Sequence, residues 1–285
     1  MPAERRVRAG EVEIAIREWN GAGRDFVLVH GLASNARTWE LVAQGLSAVG
    51  HHVVAIDQRG HGQSDKPESG YGFEEVTSDL AALIEAMGLE MPIVAGQSWG
   101  GNVVVDFASR YPEMLSGLVL VDGGLIDLSS RPGATWETMA IDLKPPNLLG
   151  IERYEMVARF RGFHPMWSDE QIEMQMGNYE TLEDGTIRPW LSLENHMAIL
   201  WAMWNQRPTE LVEGLMSPLL IAIADSGPVE RRLTRVEEAQ RLEEMRPDGV
   251  RWRQFAGAAH DIHVDQPDEL AGWMLRAVED GFFGR

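Results

Sequence analysis

Ser98 lies in the run Ile93-Val94-Ala95-Gly96-Gln97-Ser98-Trp99-Gly100-Gly101, a short apolar stretch followed by a serine bracketed by glycines. This is a G-x-S-x-G pattern. A strand that turns at once into a helix holds such a serine at a strained corner, where Gly96 and Gly100 let backbone segments approach without a Cβ clash. The hydroxyl is then exposed at the carboxyl end of the sheet. A serine hydroxyl is a weak nucleophile until a neighbouring base takes its proton, so the pattern demands a histidine. His260 and His263, in Gly257-Ala258-Ala259-His260-Asp261-Ile262-His263, follow the last apolar strand of the chain. The loop after that strand opens on the same edge as Ser98, which makes His260 the candidate base. His263, in the first turn of a following helix, is expected to pack or to support the site from behind.

Acyl chemistry at Ser98 would also need donors for the developing oxyanion, and backbone N–H groups serve without a special side chain. Trp99, directly after the serine, offers one. Leu32, in Val29-His30-Gly31-Leu32, is expected to offer the other, with His30 holding that loop by hydrogen bonds.

The elements needed to position these residues are legible. Residues 7–19 alternate as a strand or hairpin, and Phe26–Val29, Val53–Ile56, Ile93–Ala95, Leu118–Val121, Leu219–Ala224 and Val250–Phe255 are short apolar runs. Helical stretches separate most of them: 37–48, one with Val76, Leu80, Leu83, Ile84 and Met87 on a face, 99–110, 235–245, and a closing helix carrying Leu270, Trp273, Met274, Ala277 and Val278. Continuous apolar strands alternating with helices indicate a mostly parallel, doubly wound α/β sheet. The alternation stops at Asp122. Residues 123–216 carry five of the ten tryptophans and eight of the fourteen methionines, and prolines cut them into short helical pieces. This predicts a core domain of residues 1–122 and 217–285 interrupted by a helical cap, 123–216. In the cap, Met197, Leu200, Trp201 and Trp204 should share one helix face.

With 285 residues, the chain can bury a sizeable core. Its formal charge of −19, from 25 basic and 44 acidic residues, opposes nucleic acid and anionic membrane surfaces as partners. The absence of cysteine excludes disulfides and thiolate chemistry. Neither metal-ligand spacing nor a phosphate-binding glycine loop is visible, so no cofactor is expected. No apolar run reaches the length of a membrane span, and no secretory signal follows Met1, so a cytoplasmic protein is expected.

His30-Gly31, the segment Asp57-Gln58-Arg59-Gly60-His61-Gly62-Gln63-Ser64, the Gly96–Gly100 corner and the Gly257–His263 loop together resemble the α/β-hydrolase fold superfamily, over the whole chain except the cap. The resemblance implies a serine hydrolase with a Ser-His-Asp triad, and a structural rather than catalytic role for Asp57, Arg59 and Ser64. Haloalkane dehalogenases and epoxide hydrolases of this superfamily carry aspartate where Ser98 stands. Proline iminopeptidases have a different oxyanion loop. An ester or lactone is therefore the expected substrate. The triad acid stays open: Gly227 occupies the place usual for the aspartate, with Asp225 two residues early, whereas Asp122 matches the position used by some dehalogenases and lactone hydrolases. Carbon–carbon bond hydrolysis, cofactor-free perhydrolase or haloperoxidase chemistry, and a hydrolase-like ligand receptor with a slow triad are the alternatives. The oligomeric state is not legible.

Overall fold

A computed structural model describes residues 1–230 and 232–284 in full and residue 231 in its backbone. Eight strands form one sheet: β1 (Ala3–Ala9), β2 (Val12–Trp19), β3 (Asp25–Val29), β4 (His52–Ile56), β5 (Ile93–Gln97), β6 (Gly117–Val121), β9 (Leu219–Ala224) and β10 (Val250–Phe255). Their spatial order is β1-β2-β4-β3-β5-β6-β9-β10. The first hairpin and its junction with β4 are antiparallel, and every later pair is parallel.

Both faces of this sheet are covered, which explains the unbroken apolar runs. Phe26 and Leu28 of β3 point to one side, against α1 (Glu40–Ala48) and α11 (Pro267–Glu279). Val27 and Val29 point to the other, against α2 (Phe73–Met87), α3 (Trp99–Arg110) and α9 (Val229–Met245). All four β3 side chains are fully buried, each contributing roughly 1.5–3 kcal/mol relative to exposure.

The parallel register lines up the carboxyl ends. Val29 stands opposite Gly96, Gln97 opposite Val121, Val121 opposite Ala222, and Ala224 opposite Phe255. Residues 30, 98, 122, 225 and the loop after 255 consequently emerge along one edge, where open α/β sheets place their ligand crevices.

Between β6 and β9 the chain forms α4 (Trp136–Asp142), α5 (Arg153–Phe163), α6 (Asp169–Met176), a small hairpin of β7 (Tyr179–Thr181) and β8 (Ile187–Pro189), α7 (Leu193–Asn205) and α8 (Pro208–Gly214). Helix α6 starts at a capping box in which Ser168 and Gln171 satisfy each other's backbone N–H groups. The face expected on α7 is shifted. Its buried residues are Asn195, His196, Ile199, Leu200 and Met203, whereas Met197 and Trp204 are partly buried and Trp201 is 49% exposed. The cause is polar. Asn195 donates to the Tyr71 hydroxyl at 2.8 Å, which turns the helix and leaves Trp201 edge-on to Trp136 at 4.8 Å.

Among the described residues no helix is long and apolar enough to cross a membrane.

Candidate active site

Ser98 joins β5 to α3 with φ 53° and ψ −123°, a conformation that side-chain-bearing residues rarely adopt. Close packing enforces it. A Cβ on Gly96 would lie 2.2 Å from the Gly100 carbonyl oxygen, and one on Gly123 would lie 2.1 Å from the Ser98 carbonyl oxygen. The Ser98 N–H donates to the Val121 carbonyl at 3.1 Å, so the corner is pinned to the end of β6. The strain is held by the surrounding fold and keeps the serine at the sheet edge.

Asp122, the next residue after β6, also has a positive φ, 45°. Its side chain is almost wholly buried, 1% exposed. Oδ2 accepts from His260 Nδ1 at 2.6 Å, and Oδ1 accepts from the Ala224 N–H at 2.9 Å. Arg235 Nη1 reaches both oxygens, at 2.6 and 2.7 Å. Burial alone would raise the Asp122 pKa, but the His260 hydrogen bond, Arg235 and the Ala224 N–H hold it below the usual carboxylate range.

Asp225, the other candidate acid, faces elsewhere. It accepts from Gln254 Nε2 at 2.8 Å and the Gly257 N–H at 3.2 Å, and pairs with Arg232 at 3.2 Å. It thereby fixes the turn that begins the His260 loop. Both of its carboxylate oxygens are engaged there, and Gly227, with φ 88°, brings no carboxylate.

The imidazole of His260 keeps 51% of its side-chain surface open to solvent. Desolvation by the surrounding protein still disfavours its charged form, but the Asp122 hydrogen bond and the Asp122 and Asp261 charges outweigh this and raise its pKa above the ordinary imidazole value. Its loop is tied to the serine corner by Gln97, whose Nε2 donates to the His260 carbonyl at 3.4 Å and to Asp261 Oδ1 at 3.1 Å. Burial pushes the Asp261 carboxyl up, with Asp265 and Asp122 adding to the effect and His260 opposing it.

A pair of neutral histidines shapes the loop that carries Leu32. His30 Nε2 accepts from the Gln58 N–H at 3.0 Å, so its Nδ1 carries the proton and donates to the Gly31 carbonyl at 2.7 Å. His61 Nε2 accepts from the Ala33 N–H at 3.1 Å, and Ala33 is itself at φ 57°. Burial pushes the His30 pKa down to about 4 and that of His61 to about 3. Neither can serve as a charged acid near neutral pH. His61 also stacks on Trp99 at 5.5 Å, joining the Leu32 loop to the first residue of α3. His263 is 1% exposed, packed against Trp39 at 4.6 Å, with a pKa pushed by burial to about 3.

The segment Asp57–Ser64 holds loops. Asp57 accepts from the N–H groups of Ala36 and Gln63, Arg59 forms a forked pair with Asp79 at 2.5 and 2.6 Å, and Ser64 links the Asp57 carbonyl to the Ala15 N–H.

Four positions that hold the site have no signal in the sequence. Arg235 and Gln97 are described above. Asp265 accepts from the Ala259 N–H and from the Trp167 indole N–H, both at 2.6 Å, so the residue before His260 is linked to the inserted segment. Asn102, one turn after Ser98, accepts from the Gly124 N–H at 3.1 Å and donates to Gln206 Oε1 at 2.8 Å, tying both ends of that segment to α3. A capping or charge pattern could not have found them, because each has a partner about a hundred residues or more away in sequence.

A cleft of about 770 Å³ opens away from Ser98, Asp122 and His260, between β2 and α5–α6, lined in part by Arg17, Arg37, Glu40, Arg153 and Glu173. Its charges largely satisfy one another: Arg17 pairs with Glu4 and Glu40, and Arg153 with Glu173.

Known proteins resemble this chain. A family model of the alpha/beta hydrolase fold matches residues 26–267. A 2-(acetamidomethylene)succinate hydrolase of Mesorhizobium japonicum is 36% identical over 118 residues, 41% of this chain and 42% of that protein. Epoxide hydrolase B of Mycobacterium tuberculosis is 35% identical over 113 residues, 37% of this chain and 32% of that one. The matched stretches thus span less than half of these relatives. Among solved structures, E-2-(acetamidomethylene)succinate hydrolase superposes with a TM-score of 0.78 at 23% identity, covering 98% of this chain and 100% of that one. The thioesterase domain from the curacin biosynthetic pathway superposes with a TM-score of 0.77 at 20% identity, covering 96% and 99%. At these identities the superpositions speak for the fold.

Proposed function

Because the chain belongs to the α/β-hydrolase fold family, we propose that it is a serine hydrolase cleaving a small to medium, largely apolar carboxylic ester or lactone, with Ser98, His260 and Asp122 as its triad. The observation that carries this reading is the 2.6 Å contact between His260 Nδ1 and the buried Asp122 carboxylate, on a loop that Gln97 ties to the Ser98 corner. Nδ1 donating to Asp122 leaves Nε2 as the free base. That nitrogen takes the proton from Ser98 Oγ as the oxygen attacks the acyl carbon. The N–H groups of Leu32 and Trp99 receive the negative charge on the carbonyl oxygen. His260 then returns the proton to the departing alcohol, leaving the acyl group on Ser98. Water, deprotonated by the same imidazole, releases the acid. For a lactone, the departing alcohol is the other end of the same molecule.

Serine rather than aspartate at the corner favours this acyl route over epoxide or halide displacement. Residues 123–216 act in this reading as the cap that selects the substrate.

The test is Ser98→Ala. It should abolish covalent labelling by a fluorophosphonate and lower p-nitrophenyl ester turnover by on the order of a million-fold. A wild-type protein that takes no label, or a variant that retains substantial esterase activity, overturns the reading.

A further inference from the structure

The geometry points to Arg235 as a positioning residue of this site, one that bridges both oxygens of Asp122 and withholds part of their negative charge from His260. The inference rests on the triad reading above. A single guanidinium nitrogen lies 2.6 and 2.7 Å from the two carboxylate oxygens, while Nη2 donates to the Ser226 carbonyl at 3.1 Å. Arg235 Nε is buried and has no hydrogen-bond partner among the described residues. An arginine serving only to fasten the Ser226 turn would not need to bury that N–H beside a carboxylate already held by Ala224 and His260. The bridging contact is the interaction that this half-buried guanidinium makes best.

The consequence concerns the imidazolium that forms when His260 takes the serine proton. Asp122 stabilises that cation, and Arg235, one carboxylate further away, opposes it. Other groups face the same ring. Asp261 adjoins it in the loop and is held by Gln97, and Asp265 on α10 (Ile262–Asp265) accepts from Ala259 and Trp167. His263 and His30 are buried and neutral, while His164 of the inserted segment acts on Asp261. Arg232 is engaged by Asp225. Against this acidic surround, Arg235 is the cation in direct contact with the acid that His260 uses. Removing its charge should make the imidazole more basic, so that His260 stays protonated to higher pH and the free base is lost sooner on acidification.

The experiment follows the second-order rate of Ser98 labelling by a fluorophosphonate from pH 5 to 9, a reaction that needs neutral His260 and no knowledge of the natural substrate. In Arg235→Met the acid limb of this profile should move up by about half to one pH unit, a shift discounted for the partial solvent exposure of the guanidinium. Arg235→Lys, which restores a cation, should bring the limb back toward the parent. Should Arg235→Met fail to fold, Arg235→Gln, which keeps donors but no charge, carries the same expectation. A limb that stays in place or moves down, with any loss confined to the plateau rate, makes Arg235 a structural tie only and overturns the inference. Asp122→Asn in the same series separates the two levels: a variant labelled nearly as fast as the parent overturns the triad reading itself. A large loss there with an unmoved limb in both neutral Arg235 variants overturns this inference alone.

Discussion

The parallel sheet and the segment inserted between β6 and β9 are built to different standards. In β3, β5, β6 and β9 nearly every side chain is buried between two helical layers. The inserted segment instead leaves Ile141, Leu149, Phe163 and Met166 between 75% and 92% exposed. Its own small core, around Leu148, Met156, Trp167, Ile172, Met176 and Ile187, is completed by Val264 from the helical turn after His260. The sheet edge carries Ser98, Asp122 and the His260 loop, and the segment is held by ties to that edge: Trp167 to Asp265, Gln171 Nε2 to the Val264 carbonyl at 2.6 Å, and Asn102 to Gln206. On the proposed reading, chemistry belongs to the sheet and substrate selection to the inserted segment, where methionine and tryptophan can conform to different apolar shapes.

The sharpest way to break this division is at the acid. Asp122→Asn should lower turnover by about 10⁴-fold, because an amide no longer holds His260 in the tautomer that leaves Nε2 free. Asp225→Asn should change kcat only a few-fold, since it loosens a turn without touching the imidazole. Steady-state kinetics on one p-nitrophenyl ester would reverse the assignment if the two effects were exchanged.

The packing contrast comes next. Phe26→Ala, in the fully buried face of β3, should cost about 3–5 kcal/mol of unfolding free energy in urea titrations. Phe163→Ala, at 78% exposure, should stay within about 0.5 kcal/mol. Comparable losses would mean that the inserted segment shares the core's packing.

Buried histidine sharpens the picture on the sheet side. His263 is pushed to about 3 in the fold, against about 6.5 in an unfolded chain. Between those values the unfolded chain binds the extra proton, so stability falls as pH drops through that window, by up to about 1.4 kcal/mol per pH unit. His263→Phe, which keeps a ring against Trp39, should reduce that slope by the contribution of one proton between pH 6 and pH 4.5. An unchanged slope would show that His263 is charged in the fold.

The smallest effect probes selection. With a formal charge of −19 and a single lysine, Lys144, in the inserted segment, a neutral ester should be preferred over a carboxylate-bearing analogue of equal size. The gap in kcat/KM should narrow as the Debye length falls from about 30 Å at 0.01 M salt to about 8 Å at 0.15 M. A preference for the anion would indicate a local basic site; Arg153 and Arg161 are already paired with Glu173 and Asp169, which leaves Arg159 as the first residue to replace.

What the sequence determined by itself is everything carried by a local pattern. Apolar runs between helices define a parallel sheet because a strand buried on both faces has no polar side to show. The glycines around Ser98 mark a strained corner because no other residue permits that approach of backbones. The position of His260 follows from both, since parallel strands send their following loops to one edge. Only the tertiary structure shows which of Asp122 and Asp225 touches His260, as the contact of Asp122 with His260 joins residues 138 positions apart. Two aspartates at the ends of neighbouring strands look alike in sequence, and only the register and the positive φ at Asp122 turn one of them toward the imidazole. The same holds for Arg235, Asp265 and the shifted face of α7. Each is fixed by a polar partner on a distant element, and hydrogen bonds of that kind leave no period along the chain to read.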